Sequence, residues 1–230
     1  MKRFYKQVSI EPVDGGHAIR LDGRAVKTPA RAELVLPTIA LARAVAAEWE
    51  AQVEAIDPAS MRLTGLANAA IDKVAADHDT FVRDVAVYGE TDLLCYRADG
   101  PEPLVERQIA LWDPLLAWAK ARYAIDFVLA TGIIHRAQPA ETIARLTAAV
   151  RDIDPFPLVA LQRLVTISGS LVIGLAMLEG AVDARAAFDA AHLDELWQAE
   201  LWGEDWMATD ARDARRDDFE AAARFVALLV

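Results

Sequence analysis

The hydrophobic period of this chain changes once, and that change restricts its possible folds more than any other feature. Through residue 36 the apolar positions fall in short alternating runs, Ser9 to Val13, Ala18 to Leu21, Arg24 to Thr28 and Glu33 to Leu36. Asp14-Gly15-Gly16 and Asp22-Gly23 separate the first three runs, and Asp-Gly supplies the positive φ angles of a tight hairpin turn. These residues predict a small antiparallel meander, with residues 33–36 as a further strand. From Pro37-Thr38 onward the spacing is helical. Leu41, Val45, Trp49 and Val53 recur every fourth residue, which predicts a first long helix with Trp49 on its buried face.

Beyond Asp57-Pro58, a helix start signal, nearly every apolar run has helical spacing. Leu63, Leu66, Ala67, Ala70, Ile71 and Val74 form one face, and Phe81, Val82, Val85 and Tyr88 a second. Leu104, Ile109, Leu111, Trp112, Leu115, Leu116 and Trp118 form a third, in which Asp113-Pro114 predicts a kink or a break. Pro139 opens a helix through Val150, and Asp154-Pro155 opens a buried helical pair interrupted at Ser168-Gly169-Ser170. Asp183 is placed to cap a long segment to Trp206, and a last helix carries Phe219, Ala222, Phe225, Val226 and Leu229. The expected fold class is α+β: a small N-terminal β-meander domain with a helix, residues 1–57, followed by a larger all-helical domain, residues 58–230.

At 230 residues, with 54% hydrophobic and 26% charged side chains, the chain is long and apolar enough for a sizeable core. Its net charge of -11 repels phosphate backbones, so nucleic acid is not an expected partner. Leu164 to Leu178, the most apolar stretch, is too short and too interrupted to cross a bilayer, and no membrane insertion is expected. Met1 to Lys6 leads into strand-like alternation in place of an apolar leader, so the expected location is a bacterial cytoplasm, or the mitochondrial matrix for a processed protein. No phosphate loop, GxGxxG, HExxH, GxSxG or CxxC occurs. His17, His78, His135 and His192 stand singly, and Cys95 between Leu94 and Tyr96 reads as a buried structural thiol. No catalytic residue, cofactor or metal site is expected.

Seven of the eleven net negative charges lie between Asp183 and Arg224, where twelve acidic side chains face five arginines. Trp197, Trp202 and Trp206 share that stretch. Aromatics beside carboxylates suit a protein-interaction surface selecting a basic partner. The same residues also suit a solvated acidic face with the tryptophans turned into the core, in a stripe with Leu193, Leu196 and Leu201. Lys2, Arg3, Lys6, Arg20, Arg24, Lys27 and Arg31 make the other end of the chain basic.

Several blocks are similar to those of a known family. They begin with Arg3-Phe4-Tyr5-Lys6, Leu21-Asp22-Gly23-Arg24, Lys27-Thr28-Pro29, Ala47-Glu48-Trp49, Gln52 and Ile56-Asp57-Pro58. Met61, Leu63-Thr64, Ile71-Asp72 and Thr91-Asp92-Leu93-Leu94-Cys95-Tyr96-Arg97-Ala98 follow, then Gln108, Trp112-Asp113-Pro114, Leu193-Asp194-Glu195 and Trp202-Gly203-Glu204-Asp205. Together they resemble the ATP12-type chaperone family, the F1-ATP synthase assembly factors that act on the α subunit. Arg62 stands where that family commonly places proline. The resemblance implies a non-enzymatic chaperone, sufficient as a monomer, that holds the free α subunit soluble until the β subunit takes its place. It also implies partner-binding roles for Glu195 first, then Asp194, Trp202, Glu204 and Asp205. Two other readings stay open: an adaptor with a different protein client, and a small-molecule enzyme using the carboxylates of Asp194, Glu195, Glu204 and Asp205.

Overall fold

The computed structural model describes residues 1–132, 134–203 and 206–230. The meander forms as its turns dictate: β1 (Val8–Val13), β2 (Gly16–Leu21) and β3 (Arg24–Ala25) are antiparallel in that order. β4 (Val35–Leu36) pairs with the start of β2, so β3 and β4 share one edge of that strand end to end. A Cβ on Gly16 would lie 2.2 Å from the Leu36 carbonyl oxygen, so only glycine permits β4 to close there. α1 (Ile39–Glu50) starts where Thr38 Oγ1 accepts the Leu41 N–H at 3.1 Å, and buries Leu41, Ala42 and Val45.

Val53 departs from expectation. α1 ends at Glu50, and Val53 is exposed in an extended segment that pairs with the first residues of the chain, Arg3 N–H donating to Glu54 O at 2.9 Å. α2 (Arg62–Ala69) runs into a wider π turn over residues 70–74. Arg62 occupies its first helical position, whose N–H has no intrahelical acceptor, so a residue other than proline fits there equally well. The Glu48 carboxylate caps this helix, taking Leu63 N and Thr64 N at 2.8 Å each and the Thr64 hydroxyl at 2.7 Å. Asp72 takes the Thr28 hydroxyl at 2.6 Å and Ala30 N at 2.9 Å.

These two carboxylates tie the helical residues after Asp57 to α1 and to the loop after β3. One compact unit accordingly comprises Met1–His78, Asp154–Ala160 and Ala221–Val230, and a second comprises Asp79–Ile153 and Leu161–Glu220. Compactness groups by packing, whereas the division expected at Asp57 follows the Asp57-Pro58 signal and the almost wholly helical spacing beyond it.

The second unit is almost wholly helical. α3 (His78–Ala86) leads into it, and β5 (Tyr96–Arg97) follows a short 3-10 turn. α4 (Glu102–Tyr123) passes unbroken through Pro114, against the expected interruption. Pro114 and Ala110, whose carbonyl loses its acceptor role, both face water, while Trp112, Leu115, Leu116 and Ala119 stay buried on either side. Ile109 and Leu111, assigned to the buried face by spacing, are exposed. Ala124 ends the helix in the left-handed region, φ 54° and ψ 49°. Ala124→Gly is therefore expected to raise stability by about 0.5–1 kcal/mol, read as a higher urea midpoint at unchanged slope.

β6 (Ala130–Thr131) pairs in parallel with β5 inside this helical unit, and two-residue strands carry no alternation by which sequence reveals them. α5 (Ala140–Arg151) and α6 (Pro155–Ser168) precede α7 (Leu171–Leu178), whose first turn Ser170 caps by accepting Ile173 N–H at 3.0 Å. Gly174 lets α7 lie close to α6, since a Cβ there would be 2.6 Å from Val165 Cγ2. The long segment expected from Asp183 to Trp206 is two helices, α8 (Ala184–Ala191), capped by Asp183, and α9 (Leu193–Trp202). α10 (Trp206–Ala227) completes the chain. Among the described residues no helix is long and apolar enough to cross a membrane.

Candidate functional site

The end of α9 and the start of α10 carry four exposed large apolar side chains close together in sequence. Trp202 is 78% exposed and Trp206 72%, with Leu201 and Met207 also open to solvent. Trp202 and Trp206 are thus not turned into the core, while Trp197 is half-buried. Gly203, at φ 88°, lets the chain leave α9 directly after Trp202. A groove of about 200 Å³ lies between the helices, lined by Glu195, Gln198, Trp202, Thr209 and Arg212 among others.

The carboxylates beside the groove have distinct partners. Glu195 Oε2 accepts from Arg215 Nη2 at 2.7 Å, and its other oxygen lies 3.8 Å from Arg212 Nη1, so it joins α9 to α10. Asp194 Oδ1 accepts the Gln108 amide of α4 at 2.9 Å, and the same Gln108 side chain accepts Ala98 N–H. Glu200 meets Arg107 at 2.8 Å, while that guanidinium sits 4.7 Å from the Trp197 ring centre. Asp194 and Glu195 therefore turn to different elements instead of converging on one pocket. Glu204 and Asp205 lie outside the described residues. Trp202 is exposed at the end of α9.

His192 joins α8 to α9 with its ring stacked on Phe188 at 3.9 Å and its Nδ1 3.0 Å from the Phe188 carbonyl. Burial lowers its pKa, which favours the neutral ring and the tautomer that donates from Nδ1. Cys95 is buried and its thiol is pushed up to about 12, chiefly by burial, so it stays protonated and structural. Among the described residues no cluster of three or more His, Cys, Asp or Glu is placed to hold a metal ion.

Sequence reasoning missed two parts of this surface. Leu201 and Met207 are uncovered because of where the helices end, and spacing assigned Leu201 to a buried stripe. The arginines holding Glu195 stand on another helix, 20 residues away in the case of Arg215, and nothing in the sequence pairs them.

The pattern of the ATP12 chaperone protein family matches residues 2–120, just over half of the chain. The chain belongs to the ATP12 chaperone family. That is the family of assembly chaperones whose blocks the sequence resembles. The crystal structure of Atp12 from Paracoccus denitrificans is 43% identical and superposes with a TM-score of 0.95, covering all of this chain and 98% of that one. The Atu1473 protein of Agrobacterium tumefaciens is 41% identical, with a TM-score of 0.94 over all of this chain and 86% of that one. Mitochondrial atp12 of Schizosaccharomyces pombe is 23% identical over 231 residues, which span 95% of this chain and 78% of that protein. In this ATP12 family member, several of the resembling blocks hold the fold together. Glu48 joins α1 to α2, Asp72 joins the π turn to the loop after β3, Asp92 and Gln108 bridge distant segments, and Arg97 pairs with Asp113 at 2.6 Å.

Proposed function

We propose that this chain binds the free α subunit of F1-ATP synthase, covers a surface which that subunit later buries against its neighbour, and yields it to the β subunit without using ATP. A subunit of an obligate ring exposes apolar surface when alone, and such surface aggregates. The observation that carries the reading is the uncovered Leu201, Trp202, Trp206 and Met207, large apolar side chains of the kind that anchor protein interfaces. Release needs only that the β subunit compete for the same client surface. A monomer is sufficient for such capping, in a bacterial cytoplasm or a mitochondrial matrix. The enzyme reading has less support, because Asp194 and Glu195 are committed to Gln108 and to the α10 arginines.

The test is light scattering of purified α subunit diluted from denaturant, with and without this chain, in the absence of nucleotide. Near-equimolar wild-type protein is expected to suppress aggregation, and a Trp202→Ala/Trp206→Ala variant to lose most of that effect. Glu195→Lys is expected to weaken protection by repelling Arg215 and Arg212, with Glu195→Gln intermediate. Wild-type protein that leaves scattering unchanged would sink the chaperone reading for this client. Full protection by both Glu195 variants would remove Glu195 from the surface.

A further inference from the structure

The first three turns of α10 separate charge by face. Arg212 is buried and beside Glu195, Arg215 is paired with Glu195, and Arg216 lies over the Phe188 ring at 4.8 Å. All three cations of that stretch are thus engaged on the inner side. On the outer side Trp206, Asp210, Asp213 and Asp217 follow one another at intervals of four, three and four residues, which places them in one stripe along the helix, and all four are exposed. Asp210 and Asp213 have no hydrogen-bond or ion-pair partner among the described residues. The stripe begins at the aromatic end formed by Trp202 and Trp206 and runs about 17 Å, the rise of eleven helical residues.

We infer that this face binds an amphipathic helix of the partner that carries Lys or Arg at the same spacing and one large apolar residue at its end. This rests on the chaperone reading above and specifies the chemistry of the segment captured. The apolar end enters beside Trp202 and Trp206, and the cations lie along Asp210 and Asp213. A flat apolar partner makes no use of the acidic stripe, and an acidic helix is repelled by it. Because the partner's charges meet carboxylates that stay in water, they set encounter rate and choice of partner, and salt screens them. The tryptophans supply the desolvated contact, which salt does not screen.

The probe is a pair of fluorescein-labelled amphipathic peptides of about 16 residues with the same apolar face, one bearing Lys and the other Glu along its polar flank. Anisotropy is measured against the full chain at low and physiological salt. The Lys peptide is expected to bind at least about tenfold more tightly than the Glu peptide at low salt, with the difference shrinking as salt rises. Asp210→Lys/Asp213→Lys is expected to reverse that preference, and Trp206→Ala to weaken the Lys peptide without changing its salt slope. Circular dichroism confirms folding, and Asp210→Asn/Asp213→Asn replaces the reversal variant if that one unfolds.

Equal binding of both peptides, binding of neither, or a preference unmoved by the Asp substitutions overturns the inference. The α-subunit assay separates the two readings. Wild-type and charge-reversed protein that protect α equally well leave the chaperone function standing and remove the stripe from it. Selective binding of the Lys peptide by a protein that fails to protect α keeps the surface and removes that client.

Discussion

Replacing Trp112 by alanine is expected to destabilise the protein by about 3–5 kcal/mol, the range for emptying a buried large aromatic site. Trp112 is 1% exposed, its indole N–H donates to the Ala190 carbonyl of α8 at 2.9 Å, and the Arg97 guanidinium sits 5.4 Å from the ring centre. Truncation therefore leaves a cavity and an unpaired carbonyl and removes a bond that joins α4 to α8. Trp112→Phe keeps much of the volume and loses only the indole N–H, so it is expected to cost about 1–2 kcal/mol. Denaturant unfolding distinguishes them. For a chain of this length the alanine variant is expected to melt roughly 10 °C lower. Equal losses in the two variants would show that the hydrogen bond, and not the filled volume, is what Trp112 contributes.

Asp92→Ala is expected to cost about 3 kcal/mol by leaving several interior donors without an acceptor. Asp92 is fully buried and accepts Leu94 N at 3.1 Å and Val172 N at 2.9 Å, with the Ser170 hydroxyl and Leu171 N–H also directed at it. It thus fastens the Leu93–Cys95 turn to the start of α7. Burial raises its pKa to about 6 from 3.8, while the donors around it pull in the other direction. A folded-state pKa above the unfolded value makes its contribution to stability full below about pH 4, lost as pH rises through 6, and constant above that. The wild-type stability curve is therefore expected to lose up to about 3 kcal/mol between pH 4 and 7 relative to Asp92→Asn, which carries no titrating group there. Parallel curves for the two proteins across that window would show that the carboxylate is ionised throughout.

These two residues belong to the blocks by which the family was recognised, and they explain how far recognition alone carries. The resemblance at Thr91 to Ala98 and at Trp112-Asp113-Pro114 identified the family correctly. It said nothing of what each side chain does, and in this structure Asp92 and Trp112 hold helices together away from the candidate surface. Pro114 shows the same limit at the level of one helix. A proline removes one hydrogen bond wherever it falls, but whether the helix breaks depends on whether the freed carbonyl faces water, and at Ala110 it does. Val53 was misplaced because a helical spacing persists in the sequence beyond Glu50, where α1 stops, and Leu201 because it falls in the last turn of α9, where it is exposed although its spacing fits a buried stripe.

Local chemistry carried the rest. Asp-Gly turns, the Thr38 and Asp183 caps and the change of period are interactions within a few residues, so the meander, most helix starts and the α+β class were legible in the sequence alone. Glu48 with Thr64, Asp92 with Val172, and Asp194 with Gln108 join residues 16, 80 and 86 positions apart, and only the folded chain decides those pairs. The acidic, tryptophan-rich C-terminal stretch divides along the same line. Its charge and aromatic content were set by composition. That Arg212, Arg215 and Arg216 turn inward while Trp202, Trp206 and the Asp210 stripe face water was decided by which side of α10 found a helix to pack against, a question of burial that no local pattern answers.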